Sequence, residues 1–216
     1  MKAAAKASAL AKKPPATLSV PSGLISLYEA IRSDTASHDI EFSCKGGEVV
    51  TAHSKFLVFA SPVLSSMLAS GYVEDQTKKI TIRDCAAKSA TLFLDMLHTA
   101  STTLDLDSEG DAATTLLEAL ELAHRWDVQF VVEMAERALT QSICDGSFDA
   151  IATAAQIKDL PNLKRACRTF AADPKNAIAK RLAATDASLP SAVRALLNPT
   201  AAAAPELPPT KKRRSF

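Results

Sequence analysis

Glycine is scarce in this chain of 216 residues, with six in all. They form neither G-x-G-x-x-G nor a P-loop, which removes the glycine-rich phosphate cradles of nucleotide-binding proteins. The four cysteines (Cys44, Cys85, Cys144 and Cys167) are far apart and contain no C-x-x-C pair, so a structural zinc knuckle is disfavoured. His38, His98 and His124 share no metal-ligand spacing with one another or with cysteine, and are expected as surface or half-buried imidazoles. No cofactor and no metal are expected. Long apolar runs are missing too: none approaches the ~20 residues of a membrane-spanning helix. The N-terminus lacks an apolar h-region, so no secretory signal is expected, and the thiols are expected to be reduced in cytosol or nucleus.

Acids are absent from residues 1–20, which hold Lys2, Lys6, Lys12 and Lys13. Residues 201–216 set Lys211, Lys212, Arg213 and Arg214 against Glu206. Tails of +4 and +3 within a net charge of +1 leave the 180 residues between them at −6. An acidic body argues against a DNA-binding domain, and no direct nucleic-acid binding is expected.

Residues 1–20 mix Ala, Lys and Pro without periodicity and read as a disordered basic arm. From Pro21, Leu24, Leu27, Tyr28 and Ile31 recur at helical spacing, with Ser22 as a cap. That apolar face either packs on its own core or forms a dimer face. Ile40, Phe42 and Cys44 alternate with Glu41 and Ser43 as in a half-buried strand, Gly46-Gly47 makes a turn, and Val49-Val50 begins the returning strand. Ser54 to Ala60 reads as a short helix. Ser61-Pro62 caps and starts the next, which should stop near Gly71. Ile80 and Ile82 mark a third strand, and residues 87–98 a helix with Ala90, Phe93, Leu94 and Leu97 on one face. Residues 100–111 read as a loop with a short edge strand at Leu104 and Leu106. Two further helices carry Leu116, Leu117, Leu120 and Ala123, then Phe130, Val131, Met134, Ala138 and Leu139, separated at Asp127. Beyond Gly146 come a helix with Phe148, Ile151, Ala152, Ala155 and Ile157, and one started by Leu160-Pro161 with Leu163, Ala166, Cys167 and Phe170 inward. Residues 174–197 add a weaker helix or two, broken at Pro190, and residues 198–216 form a Pro/Ala tail with a basic run.

The order of these pieces resembles the BTB/POZ domain: strand His38–Cys44, Gly-Gly turn, Ala52-His53, the Ser61-Pro62 helix start, Lys79–Asp84, Phe93–Thr99 and Leu116–Ala123. The resemblance implies an α+β fold over residues 21–142, a small sheet covered by helices. Residues 143–197, with Lys158–Phe170 at their centre, resemble the helical 3-box or the opening of a BACK domain. It further implies a homodimer through the first helix (Leu24, Leu27, Tyr28, Ile31), with Asp39 and His53 structural near that interface.

Tyr72-Val73-Glu74 occupies the loop where BTB adaptors of cullin-RING ubiquitin ligases carry an apolar residue, any residue, then Glu. The resemblance makes Tyr72 an anchor for a cullin of the type-three class and Glu74 its acidic companion. Two departures stand against it: His98-Thr99-Ala100 replaces Tyr-Thr-Gly, and Trp126 replaces a Tyr. The expected function is therefore a homodimeric substrate adaptor for a cullin-RING ligase, substrate unknown. The alternative is a dimerisation scaffold or nuclear regulator that meets no cullin. Lys211-Lys212-Arg213-Arg214 resembles a nuclear localisation signal, placing the protein in nucleus, cytoplasm or both.

An Asp39–His53 pair invites an acid–base reading, yet no nucleophile accompanies it by motif, and the chain is not expected to be an enzyme. Cys85 is expected as an inert buried thiol. Glu118 and Glu121, at i and i+3, are expected on a solvated helix face.

Overall fold

The computed structural model describes residues 22–69, 71–99, 111–183 and 189–198. The expected basic arm, the loop around Leu104 and Leu106, and all but the first residue of the tail with Lys211–Arg214 lie outside them. The described chain opens with α1 (Ser22–Ser33), then β1 (Ile40–Cys44), β2 (Val49–Ala52), α2 (Ser54–Ala60), α3 (Pro62–Ala69), α4 (Val73–Thr77) and β3 (Lys79–Ile82). Helices α5 (Ala87–Thr99), α6 (Asp111–Arg125) and α7 (Gln129–Gln141) follow. The last four are α8 (Phe148–Ile157), α9 (Pro161–Ala172), α10 (Ala177–Ala183) and α11 (Ser191–Leu197).

Side chains alternate along β1, with Ile40, Phe42 and Cys44 buried and Glu41 exposed. Gly46 (φ 79°) and Gly47 (φ 84°) take left-handed backbone that other residues seldom adopt, and this folds β2 back antiparallel with Phe42 opposite Val50. β3 pairs with β1 on its other edge, in parallel, with Phe42 opposite Ile80. The sheet order is thus β2-β1-β3. A parallel neighbour needs a crossover, and α2, α3 and α4 supply it.

α5 lies at the centre, against α1, α2, α6, α7, β1 and β2. The expected one-sided face is wider than foreseen: Ser89, Ala90, Leu92, Phe93, Leu94, Met96, Leu97 and His98 are all buried, as befits a helix packed from several sides. Trp126, 3% exposed, joins the sheet to this core through ring contacts with Phe42 (5.6 Å) and Phe93 (5.2 Å). Ser61 caps α3 as expected, accepting the Leu64 N–H at 3.0 Å, and its hydroxyl donates to the Trp126 carbonyl.

Two of the apolar residues that mark α7 and α8 face outward. Phe130, in the first turn of α7, and Ile157, at the end of α8, are exposed, because each sits at a helix end that no neighbouring element covers. The extension packs around Phe148, which stacks on Phe170 at 5.7 Å, and α11 buries Val193 and Leu196 beside α8 and α9. An ion pair from Lys158 to Glu121 of α6 ties it down, and Arg181 joins α10 to Asp149 of α8 within it at 2.8 Å. Glu121 therefore does more than face solvent.

Candidate interaction surface

Tyr72-Val73-Glu74 forms the start of a short helix, which corrects the expected loop. Gly71 (φ 69°) turns the chain out of α3, Tyr72 stands at the N-cap of α4, and Lys78 (φ 53°) ends it. The N–H groups of Asp75 and Gln76 donate to the Tyr72 carbonyl, and the Gln76 amide donates to the Gly71 carbonyl at 3.1 Å. The turn is thus fixed at both ends by left-handed residues and inside by its own hydrogen bonds. It holds Tyr72 58% and Val73 69% exposed, with Glu74 half-buried in the first turn. A carboxylate there is favoured by the partial positive charge of a helix start.

The four residues expected on the α1 face part company. Leu24 and Leu27 are exposed, while Tyr28 and Ile31 are half-buried on the side where α1 packs on α5. Tyr28 meets Phe56 of α2 edge-on at 6.1 Å. At the helix end Arg32 donates to Asp95 of α5 at 3.0 Å and to the Thr51 carbonyl of β2 at 3.2 Å. The Ser22 side chain lies outside the described residues.

Asp39 and His53 do not pair through a hydrogen bond. The Asp39 carboxylate accepts the Ser54 backbone N–H and the Ser54 hydroxyl, each at 2.6 Å, so it caps α2 from fifteen residues upstream. His53 meets Ser37 instead, at 2.8 Å. Its ring belongs to an aromatic group with His38 (4.5 Å), His98 (5.7 Å) and Phe56 (5.9 Å), and His98 stacks on Phe56 at 4.2 Å. The foreseen surface or half-buried setting fails for His98, which is buried at 5% exposed, and burial depresses its imidazole to a pKa of about 4.

Glu118 corrects the solvated-face expectation. Its carboxylate accepts the Ala86 N–H at 3.0 Å and the Ser89 hydroxyl at 2.6 Å, closing the N-terminus of α5. Cys85 is buried as foreseen, and burial, followed by the Glu118 charge, pushes its thiol up to about 12. Among the described residues no group of three or more His, Cys, Asp or Glu is arranged to hold a metal ion.

Phe59 escaped the sequence reading and is 88% exposed. The signal was present: it follows the fully buried Leu57 by two positions, about 200° round the helix. Val63, early in α3, is exposed as well. Three consecutive elements, α2, α3 and α4, thus each display an apolar side chain. A second feature lies between α7 and α9, an open cleft of about 920 Å³ lined by Glu133, Arg137, Ile143, Arg165 and Phe170 among others.

A family model described as BTB/POZ domain matches residues 28–143, from within α1 to just beyond α7. No curated protein matches the chain.

Proposed function

The chain belongs to the BTB/POZ family, whose domains mediate oligomerisation and binding to partner proteins, and on that footing we propose a homodimeric, non-catalytic substrate adaptor for a cullin-RING ubiquitin ligase. The carrying observation is the Tyr72 presentation: a 58% exposed aromatic on a hydrogen-bonded turn, two residues before a first-turn glutamate. An exposed aromatic held rigid loses little freedom on docking and makes a suitable anchor. The cleft between α7 and α9 offers the extension a second contact surface. Exposed Leu24 and Leu27 support self-association through α1, and a dimer would raise avidity for a two-site substrate. The basic run Lys211–Arg214 would direct nuclear import, which a fluorescent fusion lacking those four residues tests.

Capture of a type-three cullin by the full chain, compared with Tyr72→Ala and Glu74→Lys, tests the adaptor reading. Both substitutions are expected to cut capture by at least about tenfold, corresponding to ~1.4 kcal/mol, while light scattering still reports a dimer. Absence of capture by the unaltered dimer supports the scaffold reading instead. A monomer removes the dimer from both.

A further inference from the structure

Hydrogen-bond partners assign the tautomers of three clustered imidazoles. His98 Nδ1 lies 2.7 Å from the Leu94 carbonyl, which only accepts, so Nδ1 carries the proton and Nε2 a bare lone pair. The Ser37 hydroxyl donates to the Asp34 carbonyl at 2.8 Å, so it accepts from His53 Nε2, and His53 Nδ1 is the bare nitrogen. His38 Nε2 donates to the Arg32 carbonyl, and its Nδ1 accepts the Thr51 hydroxyl at 2.6 Å. His53 Nδ1 and His98 Nε2 are enclosed and have no partner among the described residues.

A proton on either bare nitrogen would create a buried N–H donor with no acceptor among the described residues, next to two more imidazoles and the Arg32 guanidinium. The geometry points to a proton-sensitive latch: His38, His53 and His98, while uncharged, hold α1 on α5, and acid loosens that contact. The element to give way is α1, because its last turn carries both the guanidinium that repels the new charge and the carbonyl bonded by His38.

Two carboxylates act on the cluster, and a third holds the Arg32 beside it. Asp34, after α1, attracts His38; Asp39, before β1, attracts His53 but is engaged by Ser54; Asp95 of α5 is engaged by Arg32. Burial raises the Asp95 carboxyl, so acid also neutralises Asp95 more readily in the folded state and offsets part of the effect. From β2 the facing polar group is the neutral Thr51, and from α2 the facing ring is Phe56. For an imidazole with a depressed folded-state pKa the sign is fixed. The contribution is neutral above the ordinary value near ~6.5 and turns destabilising as pH falls towards about 4, where the folded state also takes the proton.

Hydrogen exchange of the full chain at roughly pH 7.5 and pH 4.5, corrected for intrinsic rates, tests the latch. Protection across residues 22–33 is expected to fall by more than about tenfold in the wild type. In His98→Phe, which keeps the ring over Phe56, the fall should be markedly smaller. Equal losses in the two proteins, or no loss in the wild type, overturn the latch. Ring nitrogen spectra of the wild type decide independently should that variant fail to fold. His98 is expected to stay neutral with its proton on Nδ1 down to about pH 5, and a His98 that titrates like a blocked histidine peptide overturns the proposal. The nitrogen readout is independent of the oligomeric state, and light scattering at both pH values separates acid dissociation of a dimer through α1 from loosening of α1 within one chain.

Discussion

The Glu136 carboxylate of α7 accepts the Leu163 backbone N–H of α9 at 2.9 Å, twenty-seven residues along the chain. It also accepts the Asn162 side-chain amide at 3.3 Å. Early N–H groups of a helix have no partner within the helix, so a side chain from elsewhere does the capping. Glu136 is 7% exposed, and the pair joins the family-matched region to the extension that follows it. Glu136→Ala should destabilise the fold by ~1–3 kcal/mol in urea unfolding, since it strands a buried donor. Exchange protection in α9 should fall first.

Ser61 serves two helices at once. Its hydroxyl accepts the Leu64 N–H and donates to the Trp126 carbonyl, sixty-five residues away. Ser61→Ala should cost ~1–3 kcal/mol, the sum of a lost cap and a lost buried hydrogen bond. A thermal melt checks this, and a change under ~0.5 kcal/mol would contradict it.

Asp39 makes the α2 cap pH-dependent. Partial desolvation raises its carboxyl, but the two bonds from Ser54 outweigh that and hold it below the usual aspartate range. A depressed carboxylate stabilises above the unfolded-state pKa of about 3.9, and the contribution is lost as pH falls through the lower folded value. Asp39→Asn should therefore be less stable than wild type near neutral pH, by about 0.5–2 kcal/mol, and the gap should narrow below about pH 3.5. Denaturant midpoints at the two pH values measure it.

The four thiols should divide one against three. Cys144 is exposed, whereas Cys44, Cys85 and Cys167 are buried, and burial raises all three, Cys85 to about 12 and Cys167 to about 11. The thiolate is the reactive species, so an aromatic disulfide at mildly alkaline pH should modify Cys144 promptly and the others only after unfolding. Fast modification of a second thiol in the native protein would contradict the burial.

Local periodicity made most of the fold legible. Ile40, Phe42 and Cys44 announced a one-sided strand, Gly46-Gly47 its turn, and Ser61-Pro62 a helix start, because each of these depends on neighbours within a few residues. Long-range contacts were hidden. Glu118 looks like a surface residue until Ala86 and Ser89 arrive from about thirty positions earlier. His53 and His98 are forty-five residues apart, and no spacing rule joins them. Phe130 and Ile157 sit at apolar helical positions, yet a wheel cannot say where the neighbouring helix stops. Of the candidate surface, the Tyr72 position was visible and its helical setting was not: Val73-Glu74-Asp75-Gln76-Thr77 spans barely more than one turn, too short for any period to register.

The strand order has a bearing on biosynthesis. The middle strand is made first and its two neighbours come at different times: one across a short turn, the other only after three helices have been threaded between. A polypeptide emerging from the ribosome therefore carries an open strand edge until residue 82 has cleared the exit tunnel, and the buried face of that strand waits longer still, for α5 and Trp126. That interval is when a chaperone matters most to this protein, and slowing translation shortly after Ala52 should raise its aggregation more than slowing it after Ile82.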